Sequence, residues 1–591
     1  MVQGQPVNVN TNQALPAKGT IPSDTPVVVA MTLARLEQMR QKKVPWLDIL
    51  QTVGEFIHMR KQNFQKQDMA GEFLYREIFS SAGPQAAETA ASTLVSLLWP
   101  PTNNRIKFTP PLELEGTNDE KEYYEFAVKE VLRTLDNPKG NFGIATDEYM
   151  LDQVVFGTSG VDIVRDKKIK VRYKPMSVSS SFIEEGENDM VDTVYTERTV
   201  SNQWLVKNYG LDNVSPRVRE EFENNQFDTN NDIVIAIEPR VTGVTSGKEG
   251  NQNMPVRSAH IEIDTKHLLR ESGFEEMPTI VNRADKIIGE VYGRSLAMKA
   301  SPAILELNVI WEAVTIAIEK SLDPPLGVYS DGVLGGGEID TSAGAINVFN
   351  PSDQAKERQP IFQLNTISEF KQIVQLIQSL NEEISTYFLI DRLLDFNNET
   401  RMTATEATLR DRMRNSTLGR FFNRQTNGYF VPVIERTFNI LLADGHLGVV
   451  AGSDQDNGER RIIPDTIAQL MADGKDVYNL TFSTPATRIM QSEEAESMLR
   501  QMEYTLGWAE AKPEILDNMD VDRSFEIYSD IIGARSETRL AKLKVKEVRE
   551  ERAAAVQKAE EAEQGKAVTE GIRNVGQSGM VDTTKPKEAT E

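Results

Sequence analysis

The stretch LAMKASPAILELNVIWEAVTIAIEKSLDPP, Leu296 to Pro325, decides the architecture. It lacks strand alternation and closes on Asp323-Pro324-Pro325, so it reads as one long helix with a sharp stop. From Ile304 to Leu322 its apolar residues lie almost all round the cylinder. Such a helix must be covered on several sides. A second helix follows in ISEFKQIVQLIQSLNEEISTYF, where Phe370, Val374, Ile377, Leu380, Ile384 and Phe388 recur at helical spacing. Between the two helices lie LGVYSD and AINVF, short strand-like pieces separated by GVLGGGEIDTSAG and followed by Pro351 and Pro360.

Downstream, LIDRLLDFNNETR (Leu389–Arg401) breaks the helical period, and Asn397 and Asn398 favour a turn. A third helix should start near Thr403, with Glu406 completing a capping box, and run to Ala443. Pro432 should kink it and Gly445 should end it. Ser492 to Gln557 reads as helical and polar, and residues 559–591 as a disordered tail. Upstream, a polar arm is followed by helical patterns from Thr32 to Trp99, with Pro45 as the start of the helix carrying WLDIL. PQAAETAASTLVSLLWPP is an Ala-rich helix ended by Pro100 and Pro101. Asn118–Leu135 and Ala145–Val155 look helical. VDIVRD, KIKVRYKP, DTVYTERTV, DIVIAIEP and HIEIDTKHL read as strands, and SGKEGNQNMP as a loop. The fold class is therefore mixed α+β and mainly helical, with no internal repeat.

With 591 residues the chain should hold roughly two to four structural units. Its net charge of -24 argues against a protein that grips DNA over its whole surface, since phosphate neutralisation carries non-specific affinity. Having no cysteine, it has no disulfide and no thiolate nucleophile or metal ligand. The start, MVQGQPVNVNTNQALPAKG, has no secretory pattern, and Glu306, Glu312 and Glu319 argue against a membrane span in the apolar helix. His58, His260, His267 and His446 lack metal or triad spacing and read as surface or packing residues. SGKEG is no phosphate loop, and DQDNGE has its glycine in the wrong place for a calcium loop. No catalytic residue, cofactor or metal is expected. Arg401, Arg410, Arg412, Arg414, Arg420 and Arg424 concentrate charge on the third helix, with Arg410/Arg414 and Arg420/Arg424 on shared faces. Contact with acidic surface, within or between chains, is favoured over contact with DNA, because tight phosphate binding would trap DNA.

Four segments, in order, resemble those of podovirus head-to-tail connecting (portal) proteins. They are AAETAASTLVSLLWPPTNNRIKFTPP, FGTSGVDIVRD, YGRSLAMKASPAILELN and MTATEATLR. The core resemblance covers Gly289 to Gly445 and a looser one Val27 to Glu550. The family often has Gly-Pro after YGR, where this chain has Ser295-Leu296, and an aromatic pair where it has Lys107-Phe108. The resemblance implies a virion protein, assembled in the host cytoplasm as a homo-oligomeric ring of about twelve subunits. Double-stranded DNA would pass through the ring, and terminase, capsid or scaffolding protein and tail adaptors would dock on it, with no membrane involved. It also implies named regions: a flexible arm (1–26), a wing (27–292), a first stem helix (293–322), a clip (323–365), a second stem helix (366–388), a tunnel loop (389–401), a long kinked helix completing the wing (402–491), a helical crown (492–558) and a tail (559–591). Arg392, Phe396, Asn397, Asn398, Glu399 and Arg401 would be tunnel-loop residues, acting as a steric collar on DNA. Arg410, Arg414, Arg420 and Arg424 would face a neighbouring subunit or DNA. Two isolated short strands are marginal alone, so the clip strands should pair with a neighbour.

Two other classes compete. Another ring-forming adaptor or tail component fits the stem-clip-stem order and the length less well. An ATPase would need a phosphate loop and a nuclease an acidic metal cluster, and neither motif is visible.

Overall fold

The computed structural model describes residues 27–59, 64, 78–101, 105–111, 118–240, 254–329, 339–349, 361–363, 370–394, 418–450, 461–484 and 497–508, with scattered residues from 512 to 555. The chain divides into two compact units, Met1–Glu493 and Glu494–Glu591. In the second, residues 497–508 are helical, Tyr504 lies near Trp508, and Arg549 pairs with Asp522.

In the first unit, α1 (Val27–Val53) runs straight through Pro45 and ends in a π-turn, Gly54–His58. Pro45 does not start a helix. An interior proline costs about 3 kcal/mol, and here burial at both ends of α1 offsets it. Val29, Leu36 and Met39 lie in one core, and Leu50 and Val53 in another. α2 (Ala82–Leu98) stops at Trp99, before the Pro pair. β1 (Ile106–Thr109), α3 (Asn118–Leu135) and α4 (Phe142–Phe156) follow. β2 (Thr158–Asp166) and β3 (Lys170–Met176) form a hairpin.

β4 (Ser181–Glu185) and β5 (Val191–Ser201) open an antiparallel five-stranded sheet. α5 (Asn202–Tyr209) and α6 (Pro216–Glu223) then precede β6 (Asn230–Pro239), β7 (Val256–Glu262) and β8 (His267–Phe274). The run HIEIDTKHL is thus two strands, not one: the chain turns with Lys266 at φ 52°. One face of the sheet carries α1, through Val29, Leu36 and Met39 against Tyr195, Val234, Ala236 and Ile261. The other carries α5 and α6, through Leu205 and Val218 against Ile233 and Leu269. β9 (Thr279–Arg283) returns to pair with β2.

α7 (Leu296–Leu322) is capped by Ser295, whose Oγ accepts from the Met298 N–H at 2.8 Å. β10 (Leu326–Tyr329) pairs in parallel with β11 (Ile346–Phe349) and antiparallel with β12 (Ile361–Gln363). The premise that two isolated strands lack partners within the chain is therefore corrected: the third strand, too short for period-2 reading, completes a sheet with them. α8 (Phe370–Tyr387) follows. The period breaks at Leu389, with φ 59°, but α9 (Ile390–Leu394) is a helical turn rather than loop.

Residues 418–425 are helical, and a π-turn at Thr426–Phe430 leads into α10 (Val431–Ala443). The π-turn absorbs Pro432 by supplying a fresh first turn, where its missing N–H matters little. Gly445, at φ 70°, ends α10: its N–H reaches Leu442 O, and the His446 N–H reaches Leu441 O at 2.8 Å, the paired bonds of a Schellman motif. α11 (Asp465–Ala472) precedes β13 (Asn479–Phe482), which pairs with β1. The main core joins α2, α4, the N-terminal half of α7, the C-terminal end of α8 and α10.

Candidate functional site

Three of the four family-like segments meet in this core. Gly157 of FGT and Gly293 of YGR are pressed backbone to backbone. A Cβ on Gly293 would stand 2.4 Å from Gly157 O, and Gly157 itself holds φ +74°. The Thr158 Oγ1 accepts from the Gly293 N–H at 2.8 Å, and Gly157 O accepts from Ala284 at the same distance. The contact fixes where α7 begins. In the Ala-rich segment, Trp99 stacks on Phe430 of the π-turn, with centroids 5.4 Å apart, and meets Phe142 edge-on. Arg105 lies over Trp99 at 4.6 Å, donates to Pro100 O at 2.9 Å and pairs with Asp136.

A buried polar network holds the π-turn. Tyr149 donates to Gln425 Oε1 at 2.7 Å, Asn282 donates to Tyr149 Oη at 3.0 Å, and Tyr149 stacks on Tyr429. Burial pushes the Tyr149 phenol well above its ordinary value, so it serves as a neutral hydrogen-bonding group. Gly428 passes so close to Asn282 that a side chain there would strike its amide.

Two of the proposed basic residues fall beside this network. Arg424 donates to Ala284 O at 2.6 Å, and both Arg420 and Arg424 reach Asp285 at 3.3 Å, with Lys299 at 3.0 Å. Burial raises the Asp285 carboxyl, but the Lys299 hydrogen bond and the three cations together hold it below its ordinary value. Arg420 and Arg424 thus tie the Arg-rich helix to the start of α7. Arg410 and Arg414 lie outside the described residues, as do Phe396, Asn397, Asn398, Glu399, Arg401 and the MTATEATLR segment. Arg392 lies in α9, and its side chain is outside the description. The SGKEG and DQDNGE segments are outside it apart from Met254 and Pro255 at the end of the first loop.

α7 and α8 pack antiparallel, since the N-terminal half of α7 and the C-terminal end of α8 share one core. Their far halves differ. Val309, Ile316, Ile318 and Leu322 of α7 are exposed, Val309 by 62% and Leu322 by 82%. Val374 and Leu376 of α8 and Ile346 and Ile361 of the three-stranded sheet are exposed as well. By length and composition alone α7 could cross a membrane, so the three glutamates do not settle that question. What argues against a span is its first half, where Ala297, Ala300, Ile304 and Leu307 are buried in the main core and Asn308 accepts from the Phe79 N–H.

Among the described residues no three His, Asp or Glu side chains converge as metal ligands. His58 is buried against Asp152 at 3.3 Å and His260 against Tyr209 at 2.7 Å. Sequence reading missed Lys43. It is buried on α1 and donates to Val178 O, Ser179 O and Ser181 O. It falls in step with Leu36 and Met39 on the sheet-facing side of α1, a position that could have flagged it.

The sequence profile of the family described as bacteriophage head to tail connecting protein matches residues 30–539. This chain belongs to that family. As a connecting protein of phage heads and tails it has a structural role. Two curated relatives are each 23% identical: a probable portal protein of Bordetella phage BPP-1, over 95% of this chain and 97% of its own length, and a portal protein of Salmonella phage epsilon15, over 93% and 96%. Solved structures of a native gene transfer agent virion and of the neck of an empty gene transfer agent particle align at 9% and 10% identity. The first covers 66% of this chain and 93% of its own, with a TM-score of 0.28, and the second 70% and 95%, with 0.30.

Proposed function

We propose that this connector is a portal subunit. About twelve copies form a ring at one capsid vertex. Double-stranded DNA is packaged and ejected through the ring, on which terminase and then tail adaptors dock. In this reading α7 and α8 are the stem, the β10–β12 sheet is the clip, and residues 27–292 are the bulk of the wing. The segment 389–401 is the collar facing DNA, and 492–558 is the crown. Assembly takes place in the host cytoplasm, and the product is a virion component.

The observation that carries this reading is the exposed apolar surface on the far halves of α7 and α8. A single chain gains nothing by leaving Val309, Ile316, Ile318 and Leu322 in water, at roughly 1.5–3 kcal/mol for each large side chain buried. A ring covers them with the next copy. Negative-stain imaging of the pure protein should show rings with an axial hole, and I316E/I318E should give folded single subunits. A wild type that stays monomeric under every assembly condition, or an I316E/I318E variant that still forms normal rings, refutes the reading.

A further inference from the structure

The five-stranded sheet carries a group of side chains that the connector role does not use. On the face shared with α5 and α6, Arg198 of β5 stands opposite Ile233, which pairs in turn with Glu262, and His260 stands opposite Arg270 of β8. Strands lie about 4.8 Å apart, so both guanidinium groups can converge on β7 from either side. Five other arginines on or against this sheet have carboxylate partners: Arg35 with Glu184 and Glu238, Arg40 with Glu197, Arg217 with Glu262, Arg240 with Glu271, and Arg257 with Glu238. Arg198 and Arg270 are exposed and form no ion pair among the described residues, although the charge of Arg198 reaches Asp162.

The hydrogen bonds around His260 fix which groups can donate outward. Arg270 Nη2 lies 3.3 Å from His260 Nε2, and Tyr209 Oη lies 2.7 Å from Nδ1. Ser258 Oγ lies 3.3 Å from the same nitrogen; since a guanidinium only donates, the arrangement that keeps the Arg270 bond has Nε2 carrying the lone pair, with Ser258 O–H donating to it as well, and Nδ1 carrying the proton. Nδ1–H then donates to Tyr209 Oη, which leaves the phenol proton free to donate elsewhere. Burial, with the charges of Arg270 and Arg198, holds His260 neutral by lowering it to about 3, so it carries a single ring proton. The site thus presents two guanidinium groups outside any ion pair, that of Arg270 with one N–H spent on His260, and the Tyr209 O–H.

We propose that Arg198, Arg270 and the Tyr209 hydroxyl form an oxyanion cradle that receives a carboxylate side chain from a second copy of this chain. A guanidinium fork matches a carboxylate with two parallel hydrogen bonds. The source follows from charge: each copy carries 89 acidic against 65 basic residues, so a neighbour presents carboxylates in excess and repels unless some are neutralised. Duplex DNA fits less well, because it is held by many phosphate contacts at once. Here two guanidinium groups stand on one face with Glu262, which Arg217 already pairs, while Glu197 and Glu271 point to the α1 face and are held by Arg40 and Arg240, so the site has charge for one carboxylate and not for a run of phosphates. The proposal rests on the ring reading above.

The test uses full-length R270K, and R198K in parallel, assembled from equal amounts of 14N- and 15N-labelled chains. A carbodiimide activates a carboxylate and leaves as the urea while the new lysine amine forms the amide. Mass spectrometry should find position 198 or 270 joined to an Asp or Glu in mixed-isotope peptide pairs. R198E/R270E should lower ring yield about tenfold or more at low salt, the loss shrinking as salt rises, while circular dichroism shows the subunit still folded. Absence of rings in the wild type would overturn the ring reading itself. Rings that form normally but give only same-isotope pairs, or no coupling in either variant, overturn the cradle. So does an R198E/R270E protein whose rings are normal and whose only defect is weaker DNA binding.

Discussion

Replacing Gly293 with alanine should loosen the junction between β2, β9 and α7. The new methyl would lie 2.4 Å from Gly157 O, 2.9 Å from Arg283 Cβ and 3.1 Å from Arg283 Cα, so backbone has to move. Overpacking of this kind costs about 1–3 kcal/mol. The shift also weakens the bonds from Gly293 to Thr158 and from Ala284 to Gly157, at about 1 kcal/mol each. Local stability should fall by about 2–4 kcal/mol, a factor of about 30–900 in the opening equilibrium. Gly157→Ala should be worse by about 1 kcal/mol, because φ +74° strains a residue with a Cβ. Gly143→Ala is the control. It lies in α4 with nothing within 4 Å of the added methyl, and alanine there should stabilise by about 0.5–1 kcal/mol. Amide hydrogen exchange at Ala284 and Gly293, at fixed protein concentration, reads the effect directly. Unchanged protection at both amides in G293A would refute the close-approach argument.

Three further outcomes follow from buried groups. Lys43→Met strands three carbonyls, two of them in buried bonds, so α1 should detach more readily from the sheet, by about 1–3 kcal/mol, seen as faster proteolysis of α1. His260 sits at about 3 when folded against an ordinary 6.5, so the unfolded chain takes up the proton first as pH falls. Stability therefore drops from pH 6.5 towards 3, by up to about 4–5 kcal/mol from this group. In H260Q that part of the pH dependence should vanish from denaturation midpoints. Arg105→Ala removes the cover of Trp99 and leaves Pro100 O unbonded, and calorimetry should register a loss of about 2–4 kcal/mol.

What the sequence made legible was long-period structure. α7 was readable because its apolar run lacks strand alternation and Asp323-Pro324-Pro325 stops it, and the end of α10 because Gly445 has the freedom a Schellman turn needs. β5 and β6 were readable because their alternation runs for ten residues or so. Local signals failed where tertiary contacts outweighed them: α1 continues through Pro45 because two cores hold it. The strands IKFT, IFQ and NLTF are too short to show a period, and each exists only through its partner. The arginine cradle was invisible for a related reason. Arg198, His260 and Arg270 come from three strands, and only the ladder register places them together.

The pairing of β1 with β13 has a consequence for the making of the protein. Thr109 bonds to Asn479, 370 residues downstream. Loop-closure entropy rises slowly with length, about 0.6 kcal/mol per doubling, so the distance is thermodynamically mild. In time it is not. At about 5–20 residues per second, Asn479 leaves the ribosome on the order of 20–70 s after Thr109. Through nearly all of that interval Phe108 lacks Tyr478, and through most of it Phe438, the rings against which it is packed. The apolar residues of α7 are synthesised well before β13 and stay without their completed core for about 10–30 s. A nascent chain in that state is open to wrong partners, so a host with slower translation or scarcer chaperones should yield more aggregate and fewer assembled connectors from the same messenger.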